Sequence, residues 1–395
     1  MWFKSKSLGN KMRSLSHCNN IEDIRRIAKS RLPKSIFHYI DGGAEDEVTL
    51  IRNTTAFHDY ELQPRVLRKI DKIDTSINLF GKNLKVPFFL APTGMSRMFH
   101  HGKENAVARS AAKLGTIYSL STLGTTSLDH IAQETEGPKM FQLYILKDSQ
   151  LTSEFVDRCK AANYDALCLT VDVPVAGNRE RDKVTKLTMP PRCTIKSLIT
   201  HPEWSFNLLL YPDFRYENVI HRVDAIGKEA MSVIDYLDSQ LDRTVSWDYV
   251  AKIIEQWGGP FVIKGILTPE DAIMAREIGA SAIMISNHGG RQMDGVPAPI
   301  DCLLPIREVI DDDMELIIDG GVRRGSHIIK ALSLGANAVS IGRPYLYGLA
   351  AGGEKGVDLA LKILKDELER NMALAGVQRI SDLSEHYVKK RYIKH

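Results

Sequence analysis

The sequence predicts an α/β protein of the (β/α)8 barrel class, and three observations carry that prediction. Eight short apolar runs recur along the chain, helix-like stretches separate most of them, and a glycine stands between helix and run at several junctions. Glycine just past a helix end accepts the left-handed conformation that stops a helix, and a short apolar run behind it suits a strand buried on both faces. Eight such units argue for a closed parallel sheet wrapped in helices. With 395 residues, 44% of them hydrophobic, the chain can bury that core as one domain.

In chain order, residues 1–20 read as a basic, Ser-rich tail, and Ile21 to Glu47 as an N-terminal helical extension able to fold back over a barrel mouth. The apolar runs then fall at Val86 to Leu90, Thr116 to Ser121, Met140 to Tyr144, Ala166 to Val171, Phe261 to Lys264, Ile283 to Asn287, Leu316 to Asp319 and Val339 to Gly342. Helix-to-glycine junctions stand out at Leu114-Gly115, Ile278-Gly279 and Leu334-Gly335. The barrel domain spans 21–382, and 383–395 follows as a basic C-terminal tail containing Lys389-Lys390-Arg391 and Lys394. One interruption, 178–246 after the fourth run, holds Pro190-Pro191, Trp204 and Leu208-Leu209-Leu210. It is too long for an ordinary connection and reads as a lid or a docking excursion.

Composition narrows the function classes. A net charge of +3, with basic residues dispersed, does not point to nucleic acid. Five cysteines (Cys18, Cys159, Cys168, Cys193, Cys302) with no C-x-x-C pair indicate neither a disulfide framework nor a metal site, and fit a reducing, cytoplasmic compartment. No apolar run approaches the ~18 to 20 residues of a spanning helix. Peripheral contact with the cytoplasmic face of the inner membrane stays open.

Function in such a barrel sits where strands end. The runs deliver Thr93 and Gly94, Ser121, Gln142 and Tyr144, Thr170 and Asp172, Lys264, Ser286 with His288 and Arg291, Asp319 with Gly321 and Arg323, and Gly342 with Arg343. Glycine amides and fixed cations after the last two runs suit a phosphate group; the alternative is tight turns with surface arginines. A lysine ending an apolar strand, Lys264, is costly unless it faces an anion, an electron-rich cofactor edge or a salt-bridge partner. His288 and Arg291 on one Gly-rich loop pair a base that titrates near neutrality with a two-pronged carboxylate grip. Asp172 could orient His288, or serve as a helix cap or loop ion pair. Arg179 could add a second cation for the carboxylate, or belong to a solvated charge run.

Together, Tyr39-Ile40-Asp41-Gly42-Gly43-Ala44-Glu45-Asp46, Ala91-Pro92-Thr93-Gly94-Met95, Phe141-Gln142-Leu143-Tyr144, Thr170-Val171-Asp172, Ser286 to Gln292 and Asp319 to Gly325 resemble the FMN-dependent L-2-hydroxy acid oxidase and dehydrogenase family. The resemblance runs from about Ile21 to about Asp382. It implies FMN as cofactor and oxidation of a small L-2-hydroxy acid to the keto acid. By the same resemblance His288 is the base, Asp172 its partner, Tyr144 the hydrogen-bond partner of the substrate hydroxyl, and Arg291, Arg179 and Tyr39 the carboxylate clamp. Pro92, Thr93, Gly94, Ser121, Gln142, Thr170, Lys264, Ser286, Asp319, Gly321, Arg323, Gly342 and Arg343 are the implied flavin contacts, with Lys264 at the N1 and O2 edge.

Phe261 to Leu267 and His201-Pro202-Glu203-Trp204 look most like the bacterial respiratory L-lactate dehydrogenase branch, with mandelate dehydrogenase next. Gly94 and Leu123, where glycolate oxidases tend to carry Ala and Trp, favour a dehydrogenase that passes electrons to quinone or cytochrome, with Leu123 on the substrate side. An oxidase that makes peroxide from O2 is the competing enzyme, and a flavin-binding barrel without catalysis the competing class. The candidate base, its partner and both clamp arginines argue against the latter. In the excursion, Trp204, Phe206 and Leu208 to Leu210 suit membrane contact or a packed lid. A homotetramer is the assembly the resemblance implies.

Overall fold

The computed structural model describes residues 14–188, 191, 194–211, 214–219, 240–310 and 312–391. The chain enters through helices α1 (Ile21–Arg31), α2 (Lys34–Asp41) and α3 (Val48–Thr55), a short strand β1 (Tyr60–Leu62) and a hairpin of β2 (Ile77–Leu79) and β3 (Lys82–Leu84). Eight strands then close into a barrel: β4 (Phe88–Thr93), β5 (Tyr118–Ser121), β6 (Lys139–Leu143), β7 (Ala166–Thr170), β8 (Phe261–Ile266), β9 (Ala282–Ser286), β10 (Glu315–Asp319) and β11 (Ala338–Ile341). Each pairs in parallel with the next, and β11 closes on β4 through Val339↔Phe88, Ser340↔Phe89 and Ile341↔Leu90. Helices follow on the outside, from Lys103–Leu114 behind β4 to Arg343–Ala375 behind β11. The predicted (β/α)8 barrel is the fold that forms.

Strand residues alternate between two cores, as a two-residue period requires. Phe89, Met140, Cys168, Val262, Met284 and Ile317 fill the barrel interior, while Leu90, Phe141, Leu167, Ile263 and Ile318 pack with the surrounding helices. The hairpin closes the N-terminal floor: Leu79, Phe80 and Leu84 join the interior cluster. Its two-residue turn, Phe80-Gly81, has positive φ at both positions, the geometry that matches strand twist in a tight hairpin.

Both termini are built in further than the sequence suggested. Leu15–His17 forms a helical turn and Cys18 is buried, so the extension begins within the stretch read as tail. At the other end β12 (Val388–Lys390) pairs antiparallel with β1, and Tyr387 and Val388 are buried. A three-residue strand whose partner lies more than three hundred residues away leaves no local signal. Residues 1–13 of the N-terminal tail, Pro190, Cys193, much of 212–239 and Lys394 lie outside the described residues.

Of the excursion, the helices Glu180–Val184, Ile195–Thr200 and Pro202–Leu210 are described. The last is pinned to the loop after β4: buried Trp204 donates through its indole N–H to Met98 O at 2.8 Å, and buried Arg97 donates to Asn207 O at 2.9 Å and to Tyr211 O. Ile195, Ile199, Phe206, Leu209 and Leu210 remain exposed. Among the described residues no helix is long and apolar enough to cross a membrane.

Candidate active site

A cavity of about 800 Å³ opens at the C-terminal mouth. The backbone around it is shaped by close approaches. The loop after β10 needs glycine at Gly321, where φ is +75° and a Cβ would lie 1.8 Å from Asn53 O of α3. The bulge between Lys264 and Ile266 in β8 carries Gly265 at φ +114°, against the Asp172 backbone and Cβ. The extension does fold over the mouth. Arg343 donates to Ile40 O (2.9 Å), Gly42 O (2.9 Å) and Gly289 O (3.0 Å), and Arg291 to Tyr39 O (2.6 Å) and Gly42 O (3.1 Å). A reciprocal amide pair, Asn53 with Asn287, at 2.7 Å in each direction, ties α3 to the loop that carries His288.

His288 itself adopts φ +57°, the left-handed region that side-chain-bearing residues enter uncommonly, held here by its neighbours. Its Nδ1 lies 2.9 Å from Oδ1 of Asp172. Burial holds the imidazole below its ordinary range although Asp172 pulls the other way; burial alone would raise Asp172, but Lys264 and His288 outweigh it and keep the carboxyl low. The pair is therefore a neutral imidazole beside a carboxylate. With Nδ1–H donated to Asp172, Nε2 is the nitrogen free to accept a proton.

Lys264, 4% exposed, donates to Ser286 Oγ at 3.1 Å and lies 3.5 Å from Asp319 and 3.9 Å from Asp172. Burial works against its charge, yet the two aspartates hold it protonated above the usual lysine range. Ser286 in turn donates to Asp319 at 2.7 Å. The salt-bridged alternative for Lys264 and its exposure to the cavity are thus both realised. Tyr144 lines the same wall, and burial lifts its phenol pKa. Across the cavity Arg291 sits 4.8 Å and Arg179 5.9 Å over the Tyr39 ring. Burial, with Arg179 adding, brings Arg291 down to about 10.

Tyr39, Pro92, Thr93, Gly94, Ser121, Leu123, Tyr144, Arg179, Lys264, His288, Arg291, Asp319, Gly321, Arg323, Gly342 and Arg343 all line the cavity. Four of the residues chosen from sequence stand behind that wall. Asp172 backs His288, Ser286 links Lys264 to Asp319, Gln142 accepts from Ser121 Oγ at 2.9 Å, and Thr170 borders a smaller neighbouring cavity. Sequence reading passed over Asp182 and Ser340, which also line the cavity. Asp182 was hidden in an ordinary-looking charge run; Ser340 had an inward strand position as its signal.

Among the described residues six cationic side chains line the cavity against two carboxylates. Arg323 and Arg343 are both held below their ordinary range by burial, and neither has a carboxylate ion pair among the described residues. Half-buried cations without an ion-paired carboxylate call for an anionic ligand. Ser340 Oγ, on the same wall, is buried without a hydrogen-bond partner among the described residues. The long helix beginning at Arg343 has no side-chain cap, leaving its first amides for an anion. These features fit a phosphorylated flavin together with a substrate carboxylate. No group of residues suited to hold a metal ion occurs among the described residues.

A barrel with a base at one strand end and a phosphate-suited pole at the others defines an enzyme that works beside a phosphorylated ligand, and the relatives specify which. The FMN-dependent dehydrogenase family model matches residues 28–390, and the chain belongs to that family. It is an FMN-dependent oxidoreductase that acts on the CH–OH group of 2-hydroxy acids. An L-lactate dehydrogenase of Xanthomonas axonopodis pv. citri is 38% identical over 92% of this chain and 94% of its own. Glycolate oxidase 3 of Oryza sativa subsp. indica is 37% identical over 93% and 95%. The crystal structure of the monotopic membrane protein (S)-mandelate dehydrogenase superposes with a TM-score of 0.89 at 32% identity, covering 95% of this chain and 100% of that one. Identities this close do not rank one acid above another.

Proposed function

We propose that the chain oxidises L-lactate to pyruvate and passes the electrons to a quinone or cytochrome. The observation that carries the reading is the neutral His288, backed by Asp172, facing the cavity that Arg291, Arg179 and Tyr39 also line. Arg291 and Arg179 grip the substrate carboxylate and fix which face of C2 is presented. Tyr144 hydrogen-bonds the substrate hydroxyl. His288 Nε2 takes one of the two protons that the substrate CH–OH group loses with its electron pair, and Asp172 stabilises the imidazolium that forms. When bound, FMN would supply the acceptor for the electron pair that leaves C2. Thr93, Ser121, Lys264 and Asp319 would hold the ring system, with Pro92, Gly94, Gln142, Thr170 and Ser286 around it, and Gly321, Arg323, Gly342 and Arg343 the phosphate.

Gly94 and Leu123 support a dehydrogenase: a Cβ at Gly94 would lie 2.9 Å from Leu123 Cβ, so the two positions are packed as a pair. The exposed Ile195, Ile199, Phe206, Leu209 and Leu210 support peripheral contact of the excursion with the cytoplasmic face of the inner membrane, where a quinone is available. Homotetramer formation belongs to the same proposal. Steady-state assays with L-lactate, glycolate and (S)-mandelate test it, using decylubiquinone or O2 as acceptor. The largest kcat/KM is expected for L-lactate with the quinone. Fast peroxide formation would favour the oxidase, and preference for (S)-mandelate would move the substrate to bulkier acids.

A further inference from the structure

We infer that Asp182 is a positioning residue that holds Arg179 for the substrate carboxylate and makes carboxylate binding at this site dependent on pH. The inference rests on the hydroxy-acid reading proposed above. Of the two carboxylates on the cavity wall, Asp319 is committed to Lys264 and Ser286, whereas Asp182 stands beside the clamp. Its Oδ2 lies 3.9 Å from Nε of Arg179, and its side chain is 19% exposed. The helix Glu180–Val184 that carries it is fixed in place. Arg181 reaches across to Glu47, to Asp41 at 3.4 Å and to His38 at 3.4 Å, tying the helix to α2.

The charged and titratable groups facing Asp182 are Arg179 and Arg181 from its own segment, Arg291 from the loop after β9, and His38 from α2. Lys183 and Tyr39 share the wall. An ionised Asp182 gives Arg179 a partner between turnovers. Once a substrate carboxylate engages Arg179 and Arg291, two carboxylates share the same cations, and like charges this close favour a proton on one of them. Burial already lifts the Asp182 carboxyl above the usual range although Arg291 and Arg179 oppose it. Anion binding therefore takes up a proton at Asp182 and tightens as pH falls.

Oxalate offers a carboxylate and no C–H bond to oxidise, so it probes binding alone. The FMN-loaded enzyme is titrated with oxalate from pH 5 to 8, following the visible flavin spectrum, for wild type, Asp182→Asn and Asp182→Glu. Wild-type Kd should rise with pH in two steps, one from Asp182 and one from His288. Asp182→Asn should lose the first step and bind oxalate about tenfold more tightly than wild type at pH 8, a one-unit linkage. Asp182→Glu should keep both steps. Asp182→Asn with the wild-type slope, or weakened by one constant factor at every pH, would reduce Asp182 to a structural role and overturn the inference. No spectral response of the wild type to oxalate at any pH would instead overturn the carboxylate clamp itself, and this role with it.

Discussion

The two ends of the barrel use buried polar groups in opposite ways. At the C-terminal mouth buried Lys264 and half-buried Arg291, Arg323 and Arg343 come together, in excess over the carboxylates near them, and His288 is held in a left-handed backbone conformation. At the N-terminal floor the hairpin plugs the interior with Leu79, Phe80 and Leu84, and half-buried Glu315 accepts through Oε1 from Phe80 N at 3.4 Å. The mouth keeps costly charge because a ligand answers it; at the floor no cation answers Glu315 among the described residues. Burial accordingly pushes the Glu315 carboxyl up to about 7. Substitutions at the mouth should alter chemistry with little loss of stability, and substitutions at the floor the reverse.

The largest expected effect is at the mouth. His288→Gln should slow anaerobic flavin reduction by about 10³-fold, the range of a general base, while FMN content and melting temperature hold. Loss of bound FMN along with activity would break the distinction. Next is the floor: Phe89→Ala should cost about 3 to 5 kcal/mol in denaturant titration, with kcat/KM per folded molecule unchanged. Arg291→Lys should raise KM for the acid about tenfold or more and spare stability, since an ammonium cannot replace the two-pronged grip. Unchanged steady-state kinetics would remove it from the clamp.

How much of this was legible follows from range. Helix-stopping Gly115, Gly279 and Gly335 and the strands behind them are local signals, and the polar residues at strand ends follow once the barrel is drawn. That His288 and Asp172 touch depends on β7 and β9 both flanking β8, a consequence of barrel order. The hairpin plug escaped because Ile77–Leu79 and Lys82–Leu84 are three residues each, and β12 because Lys389-Lys390-Arg391 reads as solvated charge. Asp182 escaped for the same reason, its burial arising from α2 and the loop after β9 rather than from its own segment.

The smallest expected effect sharpens the floor. Glu315 has its folded pKa raised, so the stability its neutral form allows is full below the ordinary glutamate value of 4.5 and is lost as pH rises through about 7. Glu315→Gln should match wild type near pH 4.5 and melt about 1 °C higher at pH 8, the shift of a gain of about 1 kcal/mol in a chain of this size. Equal melting temperatures at both pH values would show that the floor tolerates the charge.

The central claim, that the mouth performs stereospecific 2-hydroxy acid oxidation with lactate as substrate, is tested most directly by adding L-lactate and then D-lactate to the anaerobic FMN-loaded protein and following the visible flavin band. The account predicts rapid bleaching by L-lactate and none by D-lactate. Bleaching by both at similar rates, or by neither, would contradict it.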